Sequence, residues 1–178
     1  MSDIPSLKFL ITPFLSLLKP HPIWTSLDGN PYQAKAAKVQ ALFLSGRYRT
    51  ERLCRFWSSN SNGYCLLDSC LNLKYFDDYS HILLHCSGLI DERRRLVSFT
   101  KSFLAANSEA ESIVNEYLLC SNDDDIRLQF LLDCSVLPLV IQSQQSGTDI
   151  INVLFRVTRT WCRSLHVARS RKLGRFYD

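Results

Sequence analysis

Apolar positions recur every three or four residues over several stretches of the chain, which is the spacing of helices with one buried face. The clearest stretch is 31–45, where Asn30 is a suitable N-terminal cap and Gly46 a suitable left-handed stop. Its predicted buried stripe consists of Ala34, Ala37, Ala41 and Leu44. No long alternating pattern predicts a substantial strand, so the sequence predicts a mainly α-helical fold.

The same spacing predicts further helices along the chain. They are expected at residues 7–18 with a break at Pro13, after Thr50, at 81–85, at 87–106, in two or three pieces within 109–141, and at 149–173. Residues 19–24 are predicted to be extended, because a residue that precedes proline is pushed away from helix. Residues 64–80 read as irregular with room for two short strands, and residues 142–148 as a polar linker.

This pattern divides the chain into three predicted segments. Residues 1–57 form a helical lead-in, residues 58–106 a small irregular Cys/His segment with its following helix, and residues 107–178 a C-terminal helical region. The last region ends in a long amphipathic helix, with an apolar stripe formed by Ile150, Val153, Leu154, Val157, Trp161 and Leu165.

Composition places the chain among globular proteins, with 46% hydrophobic and 21% charged residues in 178. No uninterrupted apolar run reaches the roughly 18 residues that span a bilayer, and the leader lacks a positive n-region. The prediction is an intracellular protein, nuclear or cytoplasmic, with no membrane partner and no small-molecule substrate. Its seven cysteines are then reduced. Those outside the Cys/His segment are predicted to be small buried hydrophobes: Cys54, Cys120, Cys134 and Cys162.

Within the second segment, Cys65 and Cys70 are followed after a ten-residue gap by His81 and Cys86. Three thiols and an imidazole match the tetrahedral shell that zinc prefers. Four protein ligands leave no open position for water or substrate, so the predicted zinc is structural. Two alternatives stay open. In the first, the four residues are ordinary core residues; in the second, His85, one helical turn from His81, takes the fourth ligand position.

Positive charge is concentrated near the end of the chain. Residues 147–178 contain seven basic and two acidic side chains, although the whole chain carries only +4. Arg156, Arg159, Arg163 and His166 share one predicted helix face. The basic side chains predicted to contact nucleic-acid phosphates are Arg93, Arg94, Arg95, Arg156, Arg159, Arg163, Arg169, Arg171 and Lys172. The simpler alternative is a solvated face on an ordinary packed helix.

Several motifs resemble those of a known family. They are His-Pro-Ile-Trp at 21–24, Asn-Pro-Tyr-Gln-Ala-Lys-Ala-Ala-Lys-Val-Gln-Ala at 30–41, Leu-Ser-Gly-Arg-Tyr-Arg-Thr at 44–50 with Trp57, His-Ile-Leu-Leu-His-Cys at 81–86, Arg-Arg-Arg-Leu at 93–96 and Arg-Thr-Trp-Cys-Arg-Ser-Leu-His at 159–166. Together they resemble the zinc-binding segment that closes the reverse transcriptase proteins of non-LTR, LINE-type retrotransposons. The similarity covers about residues 14–175. One departure is Ser87, where that family usually has proline.

The resemblance implies a zinc-stabilised module that contacts template RNA or target DNA without sequence preference. It also implies a detached or truncated C-terminal portion without the polymerase and endonuclease parts, hence no catalytic residues. The ligands carried over are Cys65, Cys70, His81 and Cys86. An alternative from another class is a protein-interaction adaptor built of helices and a structural zinc. RNA versus DNA preference and oligomeric state are left open.

Between the ligands lies Tyr75-Phe76-Asp77-Asp78, which has the form of the metal-binding signature of reverse transcriptases. Two-metal catalysis needs further carboxylates from other strands, and no polymerase palm precedes these residues. The signature is therefore interpreted as a coincidence. Tyr75, Phe76 and Tyr79 are expected either to stack on unpaired bases or to cover the metal site.

Overall fold

The computed structural model describes residues 21–27, 29–145 and 150–174. Within these ranges 71% of the residues are helical and no strand is present, so the mainly α-helical prediction is confirmed. Two short strands were an expectation for residues 64–80, and the structure has instead an isolated antiparallel bridge between Tyr64 and Phe76. The helix predicted at 7–18 and Arg175 lie outside the described residues.

The α-helices follow one another with short connections. In chain order they are α1 (Pro22–Thr25), α2 (Pro31–Leu44), α3 (Glu51–Cys54), α4 (Asp68–Leu71), α5 (Ile90–Leu104), α6 (Ser108–Val114), α7 (Asp124–Asp133), α8 (Pro138–Gln145) and α9 (Ile150–Lys172). Wider π-helical turns occupy His81–His85 and Asn115–Leu119, and 3-10 turns occupy Ser87–Leu89 and Cys134–Val136. Buried residues from each of the three predicted segments join one hydrophobic core.

Helix α2 begins and ends where its capping residues predict. The Asn30 side chain accepts a hydrogen bond from the Tyr32 amide at 2.8 Å, and Gly46 adopts a positive φ of 72°. The predicted apolar stripe is wrong in part, since Ala34 is exposed whereas Gln33 and Gln40 are buried. Both glutamines face the core because each finds a hydrogen-bond partner there, which offsets the cost of burying an amide.

Three further local predictions need correction. Residues 22–25 form helix α1, because Pro22 occupies the first helical position, and His21 before it is extended as predicted. Residues 142–145 are helical within α8 rather than part of a linker. Cys120 is exposed, since it follows a surface π-helical turn, whereas Cys54, Cys134 and Cys162 are buried as predicted.

The longest helix, α9, runs through the middle of the fold rather than along its surface. It packs against α1, α2, α5, α6, α7 and α8. Its buried residues are Ile150, Leu154, Phe155, Val157, Thr158, Arg159, Thr160, Trp161, Cys162, Leu165 and Arg169. The predicted apolar stripe is buried, except for half-buried Val153. A helix with neighbours on several sides buries more than this stripe, and because Arg159 is buried too, the prediction of a solvent-facing basic face is wrong for this helix.

Arg159 is the largest fully buried side chain in the described residues. Its Nε donates to the Gln33 side chain at 3.1 Å. Its Nη1 donates to the Ile23 carbonyl at 3.2 Å and to Ser26 Oγ at 2.8 Å, and its Nη2 donates to the Ser26 carbonyl at 3.1 Å. The guanidinium thus joins α9 to α2 and to the end of α1, which is how a charged group tolerates full burial.

One stretch of the described residues, Asp124–Ser143, is long and apolar enough to cross a membrane, with a mean hydropathy of 1.3. It comprises α7, the 3-10 turn Cys134–Val136 and most of α8, and 56% of it is buried. It also contains Asp133, which is fully buried and accepts hydrogen bonds from Ser135. These features are those of core helices and are weak evidence for a span.

Replacing Arg159 by methionine should lower the free energy of unfolding by about 2–4 kcal/mol, because four buried acceptor contacts lose their donor. The matched control is Arg156→Met, one turn earlier and exposed, which stacks over the Phe103 ring. This control should cost less than about 1 kcal/mol. Urea denaturation measures both, and equal losses would contradict the buried role of Arg159.

Candidate metal centre

Cys65, Cys70, His81 and Cys86 come together in a buried cluster. One side-chain donor atom from each lies within 4.8 Å of the others, so the cluster can hold a metal ion. The Cys86 sulfur is 3.9 Å from that of Cys65 and 3.6 Å from that of Cys70. A tetrahedral ion with metal–sulfur bonds of about 2.3 Å would separate its sulfurs by about 3.8 Å. The sulfurs are thus already spaced for a shared ion.

Local backbone structure places each member of the cluster. Cys70 lies in α4. His81 is the first residue of the π-helical turn, and the Cys86 amide closes this turn by donating a hydrogen bond to the His81 carbonyl at 2.6 Å. The widened turn brings residues five apart onto the same side of the chain. The Cys65 amide donates to the Tyr75 carbonyl at 2.9 Å, next to the Tyr64–Phe76 bridge.

The turns that carry Cys70 and Cys86 pack in direct contact at Gly88. A Cβ atom at Gly88 would lie 2.8 Å from Leu67 Cδ1 and 3.0 Å from Ser69 Oγ, so no larger residue fits there without a shift. Ser87 strengthens the contact, because its hydroxyl donates to the Ser69 carbonyl at 3.2 Å and lies 3.2 Å from the Cys70 sulfur. Serine therefore has a structural use at the position where the LINE-type segment has proline.

The electrostatics of the cluster favour a bound cation. Hydrogen bonding to Cys86 and burial raise the pKa of the Cys65 thiol to about 12. Burial also opposes ionisation of Cys70, but hydrogen bonds from Ser87 and the Gly88 amide lower the pKa of that thiol overall. Three adjacent thiols cannot all ionise unless a metal ion displaces their protons.

His81 supplies the strongest sign of a ligand site. Its ring is buried, and Nε2 has no hydrogen-bond partner. Burial lowers the pKa of His81, but the nearby thiols of Cys65 and Cys70 raise it overall. Buried polar atoms are rarely left without a partner, so an unpartnered imidazole nitrogen beside three sulfurs fits metal ligation. The Tyr75 ring packs over this imidazole with centroids 5.6 Å apart.

His85 faces away from the cluster. It is exposed, and its Nε2 bonds to Asp124 Oδ2 at the start of α7. The structure therefore places His81, and not His85, with the three cysteines. The alternative in which His85 is the fourth ligand is therefore wrong, because its imidazole bonds to Asp124 and is not part of the cluster.

Arg93 lies beside the cluster rather than on the open surface. It is half-buried, and its Nη2 donates to the Cys86 carbonyl at 2.5 Å. Burial lowers the pKa of Arg93, while the charges of Cys86 and Cys70 raise it. A cation at this position would offset the net negative charge of three thiolates around a divalent ion. The phosphate contact of Arg93 stays a prediction, although its guanidinium already bonds inside the protein.

The Asp-Asp pair between the ligands has structural uses. Asp77 is fully buried, and its Oδ2 accepts from the Glu51 amide at 2.6 Å and from Arg169 Nη2 at 2.5 Å. Asp78 accepts from the His81 amide at 2.9 Å and pairs with Arg52 at 2.9 Å. Because Asp77 joins α3 and α9, the segment between the ligands is attached to the helical core on both sides.

The other predicted basic residues are not gathered on one face. The predictions for Arg159 and Arg169 are wrong, since both are buried and bonded inside the protein. Arg163 stacks on the Tyr32 ring at 3.9 Å and is half-buried. Those that remain exposed are Arg94 and Arg95, paired with Asp91 and Glu92, and Arg156, Arg171 and Lys172. Periodicity alone does not distinguish a cationic surface from buried guanidinium groups.

Aromatic residues near the cluster differ in exposure. Tyr79 packs on the Phe43 and Tyr48 rings inside the core. It therefore neither stacks on bases nor covers the metal cluster, which were the two alternatives for it. Phe76 is 46% exposed, and two rings outside the predicted site, Phe56 and Trp57, are 68% and 77% exposed. The sequence signal for these two exposed rings is their position side by side directly before the Ser/Asn-rich loop 58–63.

No family model matches the chain, and no curated protein or solved structure matches it. The resemblance to the LINE-type segment stays a prediction based on the motif residues themselves. The class defined by the structure is a mainly helical protein with a buried cluster of three cysteines and one histidine that can hold a metal ion.

Replacing His81 by alanine should lower the metal content below one ion per chain after competition with a chelator, because three protein ligands and a water hold zinc less tightly than four protein ligands. His85→Ala, four residues away and facing Asp124, should retain about one metal ion per chain. Elemental analysis of purified protein measures both. Full metal content in the His81 variant, or its loss only in the His85 variant, would contradict the assignment.

Replacing Arg93 by alanine should weaken metal affinity by about 10–100-fold, the range found when partners of metal ligands are removed. Arg94→Ala, on the adjacent exposed position, should leave the affinity within about twofold. Competition with a chromophoric chelator gives both affinities. An unchanged affinity in the Arg93 variant would show that this guanidinium only packs there.

Proposed function

We propose that the buried cluster holds a structural zinc ion. Thiolate and imidazole donors in a four-ligand shell are the set that zinc prefers, and a closed shell stabilises the fold rather than catalysing a reaction. The observation that carries this proposal is the close approach of one donor atom from each of the three cysteines and His81, all four residues buried and the atoms within 4.8 Å of one another. The segment around it has few regular hydrogen bonds, so the ion would supply much of its stability.

The function that we propose for the whole chain is non-catalytic binding of nucleic acid, without sequence preference. Two features support it besides the motif resemblance to LINE-type proteins. The chain carries a net charge of +4, and exposed arginines lie on several elements. Arginine binds phosphate through a planar donor fork, and such contacts supply affinity independent of sequence.

A protein-interaction adaptor is the second candidate. It is favoured by Leu71 and Leu73 near the cluster, which are 49% and 56% exposed. Exposed apolar side chains of this kind are found in protein interfaces. The two candidates differ in their response to salt, because phosphate contacts release counterions and apolar contacts do not.

Single-stranded RNA and DNA should bind to the zinc-loaded protein, with an affinity that falls at least about tenfold between roughly 50 and 200 mM salt. Fluorescence anisotropy measures the binding. Removing zinc with a chelator should abolish it together with the folded structure of the metal segment. Absent or salt-independent binding would favour the adaptor instead.

A further inference from the structure

We infer that the protein binds single-stranded nucleic acid by stacking unpaired bases on an aromatic and arginine-rich surface beside the metal cluster. The inference rests on the proposed nucleic-acid function and names the part of the nucleic acid that is recognised. The surface, called here the stacking surface, consists of Arg52, Arg55, Phe56, Trp57, Tyr64 and Phe76. These residues come from the region of α3 and from the bridge next to the first ligand.

Contacts link five of the six residues of the stacking surface, and the sixth, Trp57, follows Phe56 directly in the chain. Tyr64 and Phe76 stack with centroids 5.2 Å apart, and the Arg52 guanidinium lies 5.5 Å from the Phe76 centroid. Arg55 stacks over Phe56 at 5.9 Å. Gly63 joins the two pairs, since a Cβ atom there would lie 3.0 Å from Arg55 Cδ and 3.6 Å from Arg52 Cα.

The rings are exposed to a degree that the core does not explain. Trp57 is 77% exposed, the highest value among the large apolar side chains of the described residues, and Phe56 is 68% exposed. In the described ranges of the chain, six of the twelve exposed large apolar side chains lie within residues 56–76. A concentration of this kind marks an interaction site, because single exposed apolar residues are normally scattered.

Charge identifies the partner. Residues 47–78 contain five basic side chains and four acidic ones. Glu51 and Asp77 are buried and Asp78 pairs with Arg52, so the exposed charge of this stretch is still positive. An apolar protein partner gains little from such a surplus, whereas a phosphate backbone is attracted by it. Aromatic rings with interleaved arginines stack on the faces of bases, which only unpaired strands expose.

Backbone hydrogen bonds hold the stacking surface next to the metal cluster. The Asp77 amide donates to the Gly63 carbonyl at 3.0 Å, and the Cys65 amide donates to the Tyr75 carbonyl at 2.9 Å. The chain around Tyr64 and Phe76 is thereby fixed next to Cys65. Ordered rings stack on a base at a lower entropic cost than mobile ones.

The test compares two labelled DNA strands of equal length and charge, an oligo-deoxyadenylate 12-mer and the same backbone with abasic sites. Wild-type zinc-loaded protein should bind the adenylate strand about tenfold more tightly, which corresponds to stacking of a single base. Trp57→Ala should remove most of this preference and leave the abasic affinity unchanged. Trp57→Phe should preserve the preference, and Phe99→Ala, an exposed ring on α5, should not alter it.

The possible outcomes distinguish base stacking from nucleic-acid binding in general. Equal, salt-dependent binding of both strands by the wild type would overturn stacking but leave nucleic-acid binding in place. No binding of either strand at low salt would overturn both. If Trp57→Ala weakened both strands equally, the ring would contribute to structure and not to base recognition. Zinc content and thermal melting show whether each variant is folded. The comparison of the adenylate and abasic strands on the wild-type protein does not depend on any variant.

Discussion

Three sulfurs and one imidazole nitrogen share a small buried space, and the order of residues 65–86 depends on how that space is stabilised. This segment contains one short α-helix, one π-helical turn and one isolated bridge. Few backbone hydrogen bonds therefore fix it, although Leu67, Ile82 and Leu83 anchor it in the hydrophobic core. A divalent ion would convert mutual repulsion between ionised thiols into four attractive bonds. The loops that display exposed aromatic rings are attached to the same segment.

Helix α9 shows a second constraint, which concerns charge inside the protein. Arg159 binds α1 and α2, while Arg169 binds the Asp77 carboxylate between the ligands. Both guanidinium groups therefore connect elements far apart in the sequence. Cationic side chains on a central helix thus act as internal connectors, and the surface available to an anionic partner is smaller than the composition implies.

Much of the fold follows from local sequence. Asn30 and Gly46 delimit α2 because capping needs only neighbouring residues, and the Cys/His spacing brings together the four donors found in space. Partners of buried polar groups could not be predicted in this way. Arg159 meets Gln33 across 126 residues, and periodicity gives no information on such pairs. Residue type alone made Arg159 and Arg169 look like surface residues, because most arginines are exposed.

The Asp77–Arg169 pair also bears on the order in which the chain folds. Its two members are separated by 92 residues, so during synthesis Asp77 leaves the ribosome long before its counter-ion exists. Until then the carboxylate cannot be buried without neutralisation or a large desolvation cost. All four donor residues emerge early, yet the final seating of their loop on the core has to wait for the last helix. A nascent chain would thus pass through a state in which the four donor residues are available before their loop can dock.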